Sequence, residues 1–467
     1  MADVAVQAPA VRRVPALPGR AVLGTLAIGA IAGVSAAVAL AAAARPSILS
    51  GPARRGGAPG WLLGPLTGHL GSLPSDRLAL EADFTRALAL LGVAWLVALV
   101  CARRVPLAAV WVAAVAAQVV LLLGPPLSLT DVFNYIHYGR MADHGLNPYV
   151  ALPLTFRHDP SYRYSNWHHL PSPYGPLFTL LSQGLGLLSV PVAYWVWKVI
   201  LAAASIGTLA LVAGTARALG RSRRMALVLV GLNPLVLVYG IGGAHQEPLM
   251  LLGAVGAVAL ALRGRDATAG AAVLLAAGFK PSAVLLAPVV VLGCRRRGRA
   301  LAGAVGGAAL VGAVVLLAYG GHGPATGIQD RLVTPFSVPN VLAALAGQGG
   351  LTAHDRTLAD AVLALAALGA AGAVAWRREW LPAAAGAVML AGVLTLGWTM
   401  PWYVWWILPF AALARTRALA AACAVLSAWL ALGAISQSPK LLHAAGYFPT
   451  RGPVGRANHL YVERHLK

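Results

Sequence analysis

Asp131, Tyr135 and Tyr138 stand at i, i+4 and i+7, so a helix beginning at Thr130 or Asp131 carries a carboxylate and two phenols on one face. Asp131 then looks into a polar cleft rather than into lipid. The plain alternative is an N-cap, in which Asp131 accepts backbone N–H bonds and needs no chemistry. The two roles can coexist. Further along the chain come Arg140, His245, Glu247, Lys280, the Asp330-Arg331 pair and Tyr403. A carboxylate can accept a proton from an attacking hydroxyl, and cations can stabilise a departing anion. Each residue also has a structural reading. Lys280 can snorkel to an interface, His245 can hydrogen-bond Glu247, and Arg331 can pair with Asp330. The aromatic run Trp398, Trp402, Tyr403, Trp405 and Trp406 can form an interfacial belt or stack on sugar faces.

These polar residues are sparse against their surroundings. Of 467 residues, 59% are hydrophobic and 11% charged, and mean hydropathy is +0.73. Soluble domains carry about 25% charged residues. The apolar residues fall in blocks of roughly twenty, the length that crosses about 30 Å of hydrocarbon as a helix. Helices are required because lipid leaves no water to satisfy the backbone. The expected fold is therefore an all-α polytopic bundle. The net charge of +22 does not indicate nucleic acid, because the arginines sit in short turns between apolar blocks. Arg103-Arg104, Arg221 with Arg223-Arg224, Arg263 with Arg265, Arg295-Arg296-Arg297, Arg377-Arg378 and Arg415 with Arg417 form a positive-inside pattern. These turns are assigned to the cytoplasm.

Alternating from those turns predicts a cytoplasmic tail over 1–20, a membrane domain over 21–437 and a basic tail over 438–467. Spans are expected at 21–44, 84–102, 107–124, 192–214, 226–241 and 249–262. A hairpin follows at 267–279 and 282–293 with Lys280-Pro281 at its tip, then spans at 301–319, 358–376, 381–398, 402–414 and 419–435. That is about thirteen crossings of roughly twenty residues or fewer. Residues 125–176 form a long external segment, and 177–188 is too short for a span, so it reads as re-entrant or interfacial. Asp131, Arg140, His245, Glu247, Lys280, Asp330, Arg331 and Tyr403 then all fall at external helix ends, and ionisable residues at such places are functional candidates. The basic tail, with Lys440, Arg451, Arg456, Arg464 and Lys467, sits poorly outside; an extra crossing near Leu177 is the other explanation. No repeat of 20 to 50 residues is evident. Cys101, Cys294 and Cys423 lack metal-ligand spacing, and Trp167-His168-His169 has no carboxylate spaced for zinc, so no metal site is expected.

Several strings occur in one order: Asp131-Val132-Phe133-Asn134-Tyr135, Gly145-Leu146-Asn147-Pro148-Tyr149, Ser172-Pro173-Tyr174-Gly175-Pro176-Leu177, Asn233-Pro234, Gly242-Gly243-Ala244-His245-Gln246-Glu247, Lys280-Pro281-Ser282-Ala283 and Pro401-Trp402-Tyr403. The ordered set resembles the actinobacterial polyprenol-phosphate-mannose-dependent α-1,6-mannosyltransferases, membrane glycosyltransferases of the GT-C type. The resemblance runs from about Pro125 to Pro409. One string departs from it, because family members often continue Asn-Asp where this chain has Gln246-Glu247.

The resemblance implies a GT-C-like bundle and inverting transfer from a β-mannosyl phosphate on a polyprenol to a mannan or glycolipid acceptor. It implies Asp131 as general base, with Glu247 as alternative base or acceptor-positioning group. Lys280, His245, Arg140 and Arg331 are the candidates for the donor phosphate. Tyr135, Tyr138, Tyr174, Trp402 and Tyr403 are the candidates for sugar and acceptor. Basic side chains can replace a divalent ion at a lipid phosphate, so no cofactor is expected. The expected location is the bacterial plasma membrane with the site on the extracytoplasmic face. A GT-C enzyme for another polyprenyl-phosphate sugar, or a secondary transporter, are the alternative readings.

Overall fold

The computed structural model describes residues 19–44, 58–71, 76–128, 130–324 and 326–466. The expected N-terminal tail lies outside these up to residue 18. The described residues form helices and no strand. The first four helices are α1 (Gly19–Ala43), a short α2 (Gly60–Leu63), α3 (Arg77–Cys101) and α4 (Leu107–Leu123). The segment over 125–176 contributes α5 (Asp131–Asp143), and α6 (Pro176–Gly186) and α7 (Val190–Ala218) follow. Then come α8 (Arg223–Gly231), α9 (Glu247–Leu262), α10 (Asp266–Phe279), α11 (Ala287–Gly293) and α12 (Arg297–Tyr319). The last part holds α13 (Thr326–Gln329), α14 (Val338–Leu345), α15 (Ala353–Trp376), α16 (Leu381–Thr395), α17 (Leu408–Leu413), α18 (Arg417–Ala434), α19 (Ser438–Ala444) and α20 (Pro453–Leu466).

Six of these helices are long and apolar enough to cross a membrane: α1, α3 with its short 3-10 extension, α7, α12, α15 and α18. Shorter apolar helices include α4, α9 and α10. Helix length does not establish the expected count of about thirteen spans. Part of the reason is that several expected spans are broken. The segment at 226–241 runs as α8, stops at Asn233-Pro234, and resumes as a π-helical turn over Val236–Ile241. Pro234 has no N–H to donate, and Asn233 Oδ1 takes the freed amides of Leu235 and Val236 at 3.0 and 3.3 Å. The segments after Lys280 and Met400 likewise begin as 3-10 turns, Pro281–Leu286 and Pro401–Trp406, before α11 and α17.

Caps moved two expected boundaries. Helix α3 starts at Arg77 rather than near 84, because Asp76 accepts the Leu78 amide. Helix α15 starts at Ala353 rather than 358, where Thr352 and Asp355 form a reciprocal capping box. Polar caps lie outside the apolar blocks, so hydropathy alone starts both helices late. Helix α6 has 11 residues, a rise of about 16 Å, too little to cross. It packs on α5 instead.

The arginine-rich turns gather at one end of the bundle. Asp266 accepts the amides of Arg295 and Arg296, Arg297 donates to the Ala375 carbonyl, Arg378 to the Gly293 carbonyl, and Arg415 pairs with Glu379. The basic C-terminal helix α20 lies at the opposite end, on the 125–176 segment. The His169 amide donates to the His465 carbonyl at 3.2 Å, and Tyr461, Val462 and Leu466 pack with Trp167, Leu170 and Leu332. The tail therefore sits with the 125–176 segment, and no extra crossing near Leu177 is needed to place it.

Two features hold that segment. Helices α5 and α6 meet at glycine: a Cβ on Gly139 would stand 2.0 Å from the Ser182 carbonyl oxygen, and one on Gly186 2.8 Å from the Gly139 carbonyl carbon. Arg140 clamps the loop by donating to Asp159 at 2.7 Å and to the carbonyls of Gly186 and Leu188 at 3.0 and 3.1 Å. Burial tends to raise the Asp159 carboxyl, but bonds from Ser161 and Arg140 outweigh it and hold the group below its usual range. Nearby, burial pushes the His137 imidazole down to about 4.

Two tests follow from this packing. Gly139→Ala is expected to destabilise the protein by about 1–3 kcal/mol through overpacking. Gly184→Ala on α6, where a Cβ meets nothing within 4 Å, is expected to be neutral or to gain about 0.5–1 kcal/mol; thermal unfolding in detergent compares them. The second test concerns acid. Because folding lowers the His137 pKa to about 4, the unfolded chain binds more protons between about pH 6.5 and 4, so stability falls as pH drops through that window. His137→Gln should flatten the fall in melting temperature there, and an unchanged slope would contradict it.

Candidate active site

Helix α5 presents Asp131 as its first residue, with Thr130 in the N-cap position. The side chains at the Asp131 carboxylate are Asn134, whose Nδ2 lies 3.4 Å away, and His245, whose Nε2 lies 3.4 Å from Oδ2. Asn134 is itself fixed, since its Oδ1 accepts the amides of Asn166 and Trp167 at 3.0 and 3.3 Å. Asp131 keeps 15% of its side chain exposed. One helical turn on, Tyr135 is buried edge-on between Tyr174 and Phe178, with centroids 5.0 and 4.9 Å apart. Tyr138 donates its hydroxyl to the Leu170 carbonyl at 2.6 Å. The shared face read from the i, i+4, i+7 spacing is the face that lines the cavity.

The second wall grows out of the break after α8. The π-helical turn ends in Gly242-Gly243, whose loop is tied to the 125–176 segment by the Leu127 amide donating to the Gly242 carbonyl at 2.9 Å. A Cβ on Gly243 would stand 2.2 Å from the Tyr239 carbonyl oxygen and 2.6 Å from the His245 ring. Ala244 takes φ +54°, a left-handed value that is costly for a residue with a Cβ. This turn delivers His245. Its Nδ1–H donates to the Tyr239 carbonyl at 2.6 Å, and its ring stacks on Trp402 with centroids 3.4 Å apart and planes at 21°.

Glu247 opens α9 and is 1% exposed, and Lys280 ends α10 and is 13% exposed. Lys280 Nζ donates to Glu247 Oε1. The same ammonium lies 4.8 Å from the ring centroids of both Tyr403 and Trp406, so two aromatic faces and one carboxylate surround it. Glu247 Oε2 and both amide atoms of Gln246 are buried without a hydrogen-bond partner among the described residues. Such atoms are costly unless a ligand completes them.

These groups line one cavity of about 420 Å³, within the usual range of about 300–1,000 Å³ for ligand sites. Asp131, Tyr135, Tyr138, Tyr174, His245, Glu247, Lys280, Trp402 and Tyr403 all reach it. Val284, Leu285, Leu363, Gly392, Leu396 and Met400 form an apolar wall of the same cavity. The 125–176 segment, the 320s loop, the turn after α16 and α20 complete it with Asn166, Trp167, Gln329, Asp330, Trp398 and the aliphatic Leu466. Trp167 and Trp398 meet edge to face at 5.6 Å. Burial, with Asp360 nearby, pushes the Asp330 carboxyl above its usual range.

Two sequence candidates lie outside the cavity. Arg140 is committed to the Asp159 clamp. Arg331 is exposed and stacks on Tyr461 of α20 at 4.7 Å. Gln246 and Asn166 line the cavity without having been singled out as ligand groups, while Trp398 reaches it from the aromatic run. Gln246 carried a signal, since it stands between His245 and Glu247; Asn166 came with none, because its role depends on a fold-back onto Asn134. No cluster of three or more His, Cys, Asp or Glu suited to a metal occurs among the described residues.

Comparison with known proteins identifies the family. Residues 30–296 match the family model described as alpha-(1->6)-mannopyranosyltransferase, N-terminal domain. Alpha-(1->6)-mannopyranosyltransferase A of Mycobacterium tuberculosis is 28% identical over 352 residues, 66% of either chain. A probable alpha-(1->6)-mannopyranosyltransferase of Mycolicibacterium smegmatis is 34% identical over 157 residues, 32% of this chain and 28% of the relative. Alpha-(1->6)-mannopyranosyltransferase A of Corynebacterium glutamicum is 28% identical over 186 residues, 37% of this chain and 36% of the relative. The alignments span 66%, 28% and 36% of these relatives' lengths, in each case less than two thirds. The family match covers more than half of the chain and contains Asp131, His245, Glu247 and Lys280, and the chain belongs to the alpha-(1->6)-mannopyranosyltransferase family.

Proposed function

We propose that this protein transfers mannose from polyprenyl-phosphate mannose to a hydroxyl of a mannan or glycolipid acceptor, with inversion, forming an α-1,6 linkage. The observation that carries the reading is the pairing of a cavity-facing carboxylate, Asp131, with an ammonium, Lys280, in a pocket with an apolar wall. Family membership supports mannose and the α-1,6 linkage. The apolar wall supports a lipid-borne donor.

In this reading the polyprenyl chain lies along Val284, Leu285, Leu363 and Leu396, and its phosphate approaches Lys280. The acceptor oxygen attacks the anomeric carbon from the face opposite the phosphate. As the new C–O bond forms, the hydroxyl proton passes to Asp131. The bond from the anomeric carbon to the phosphate oxygen breaks, and its electron pair leaves on the phosphate, where cationic donors stabilise it. Glu247 is less well placed than Asp131 to take the proton, because Lys280 already occupies its Oε1. Its free Oε2 and the Gln246 amide face the hydroxyl groups of a sugar. Tyr403 and Trp402 offer apolar faces beside them.

The arginine-rich turns lie at the end opposite the cavity, and the positive-inside rule would set them in the cytoplasm. The reading therefore places the protein in the bacterial plasma membrane with the site facing outward. In this reading Lys280 meets the phosphate by exchanging its bond to Glu247 for one to the donor, and no metal is invoked.

Membranes from expressing cells, given radiolabelled polyprenyl-phosphate mannose and an α-mannoside acceptor, test the proposal. Asp131→Asn is expected to lower transfer by about 10²–10⁴-fold, the usual contribution of a general base; equal rates would reject Asp131. No transfer from any polyprenyl-phosphate sugar, with solute uptake instead, would reject the enzyme reading. EDTA is expected to leave the wild-type rate intact, and a loss restored only by divalent ion would show that a metal takes part.

A further inference from the structure

Gln246 stands at the N-cap of α9, yet its side chain caps nothing. Both polar atoms of its amide, and Oε2 of the neighbouring Glu247, are buried without a hydrogen-bond partner among the described residues. Each residue is 1% exposed, and both line the cavity. Left open, each of these atoms carries its full desolvation cost, so adjacent residues with three of them point to a ligand that closes them. Whichever way the amide is turned, the set is one NH₂ donor and two acceptor oxygens. Sugar hydroxyls match it, since each both donates and accepts.

Lys280 indicates which hydroxyl. Its Nζ donates to Glu247 Oε1, and in the transferase reading it leaves that oxygen for the donor phosphate. Glu247 then has neither oxygen bonded, in a place nearly closed to solvent. The start of α9 favours negative charge there, but a buried carboxylate still needs donors. They must come from the group beside the phosphate that drew Lys280 away. In a glycosyl phosphate the hydroxyl nearest the anomeric carbon is the one on C2, whose configuration separates mannose from glucose.

We propose that Gln246 and Glu247 read the C2 hydroxyl of the donor sugar, which makes Gln246 a specificity-determining residue for mannose. The proposal rests on the transferase reading for the identity of the donor and on the open polar atoms for the corner itself. The C2 hydroxyl donates to Glu247 and accepts from Gln246 Nε2, and Gln246 Oε1 accepts from the hydroxyl on C3. A donor of the opposite C2 configuration leaves the amide and the carboxylate unmet, so it is rejected by what it fails to satisfy. Phosphate and sugar are thereby tied together, because the first empties Glu247 and the second fills it.

Equilibrium binding to the purified protein in detergent tests this with three ligands: a short-chain polyprenyl phosphate, its β-mannosyl ester and its β-glucosyl ester. Wild type is expected to bind the mannosyl ester about tenfold or more tightly than the glucosyl ester. Gln246→Met keeps the length of the side chain and removes its amide. It is expected to bring the two esters within about threefold of each other, with the bare phosphate bound as in wild type. Glu247→Gln is expected to lose the same preference while binding the bare phosphate at least as tightly, since Lys280 no longer has a carboxylate to leave. A mannosyl preference that persists in both variants overturns the proposal. Equal weakening of all three ligands also overturns it, because that marks the two residues as structural. Binding needs no turnover, so the two readings fail separately. Absence of mannosyl transfer, with a preference lost in the variants, would reject the reaction and keep the corner. Transfer by wild type with equal affinity for both esters would reject the corner and keep the reaction.

Discussion

Hydrocarbon offers no partner to an open backbone amide or carbonyl, and the architecture follows from that prohibition. Unbroken helices carry the lipid-facing surface: α12 and α15 leave most of their residues exposed and contain no interruption. Interrupted segments lie inward. The Asn233-Pro234 break, the Lys280-Pro281 bend and the 3-10 turn at Pro401 each free backbone groups, and the last two line the cavity. Asn233 Oδ1 replaces a lost ladder acceptor at the first of them. The functional cleft is thus where this membrane protein can tolerate irregular backbone, and irregular backbone is what aims His245, Lys280 and Trp402 at one point.

Charge obeys the same limit. Glu247 and Lys280 come from different helices and are both nearly buried, which would be prohibitive for either alone. Together, with two aromatic faces on the ammonium, they form a near-neutral unit that leaves one carboxylate oxygen unfilled. Asp131 differs in that the side chains at its carboxylate are an amide and an imidazole, Asn134 and His245. Two acids in one cavity therefore acquire different duties from their neighbours rather than from their own chemistry.

Much of this was legible in the residue pattern. Apolar block length and arginine placement gave the all-α membrane fold and the grouping of polar residues at one end. The i, i+4, i+7 spacing gave the face of α5, and the ordered strings gave the family. What stayed hidden depended on contacts distant in sequence. Arg140 looked like a phosphate ligand because it is a cation near Asp131, yet Asp159, brought back by a 3-10 loop, claims it. Arg331 looked equally suitable until α20 placed Tyr461 under it. His245 was equally compatible with Glu247, two residues away; the turn through Ala244 sends it to Asp131 instead. Nothing in a linear pattern states that a positive-φ alanine will choose between two acids.

The apolar wall of Val284, Leu285, Leu363 and Leu396 changes what concentration means for this protein. A donor that arrives along that wall travels within the bilayer, so its encounter rate depends on molecules per unit of membrane area. Diluting the suspension would leave that quantity untouched, whereas adding inert lipid to the same vesicles would thin it. An acceptor that does not share that wall follows its own bulk or surface concentration. The two substrates of one reaction would then be counted in different dimensions, and saturation by one would say nothing about the other.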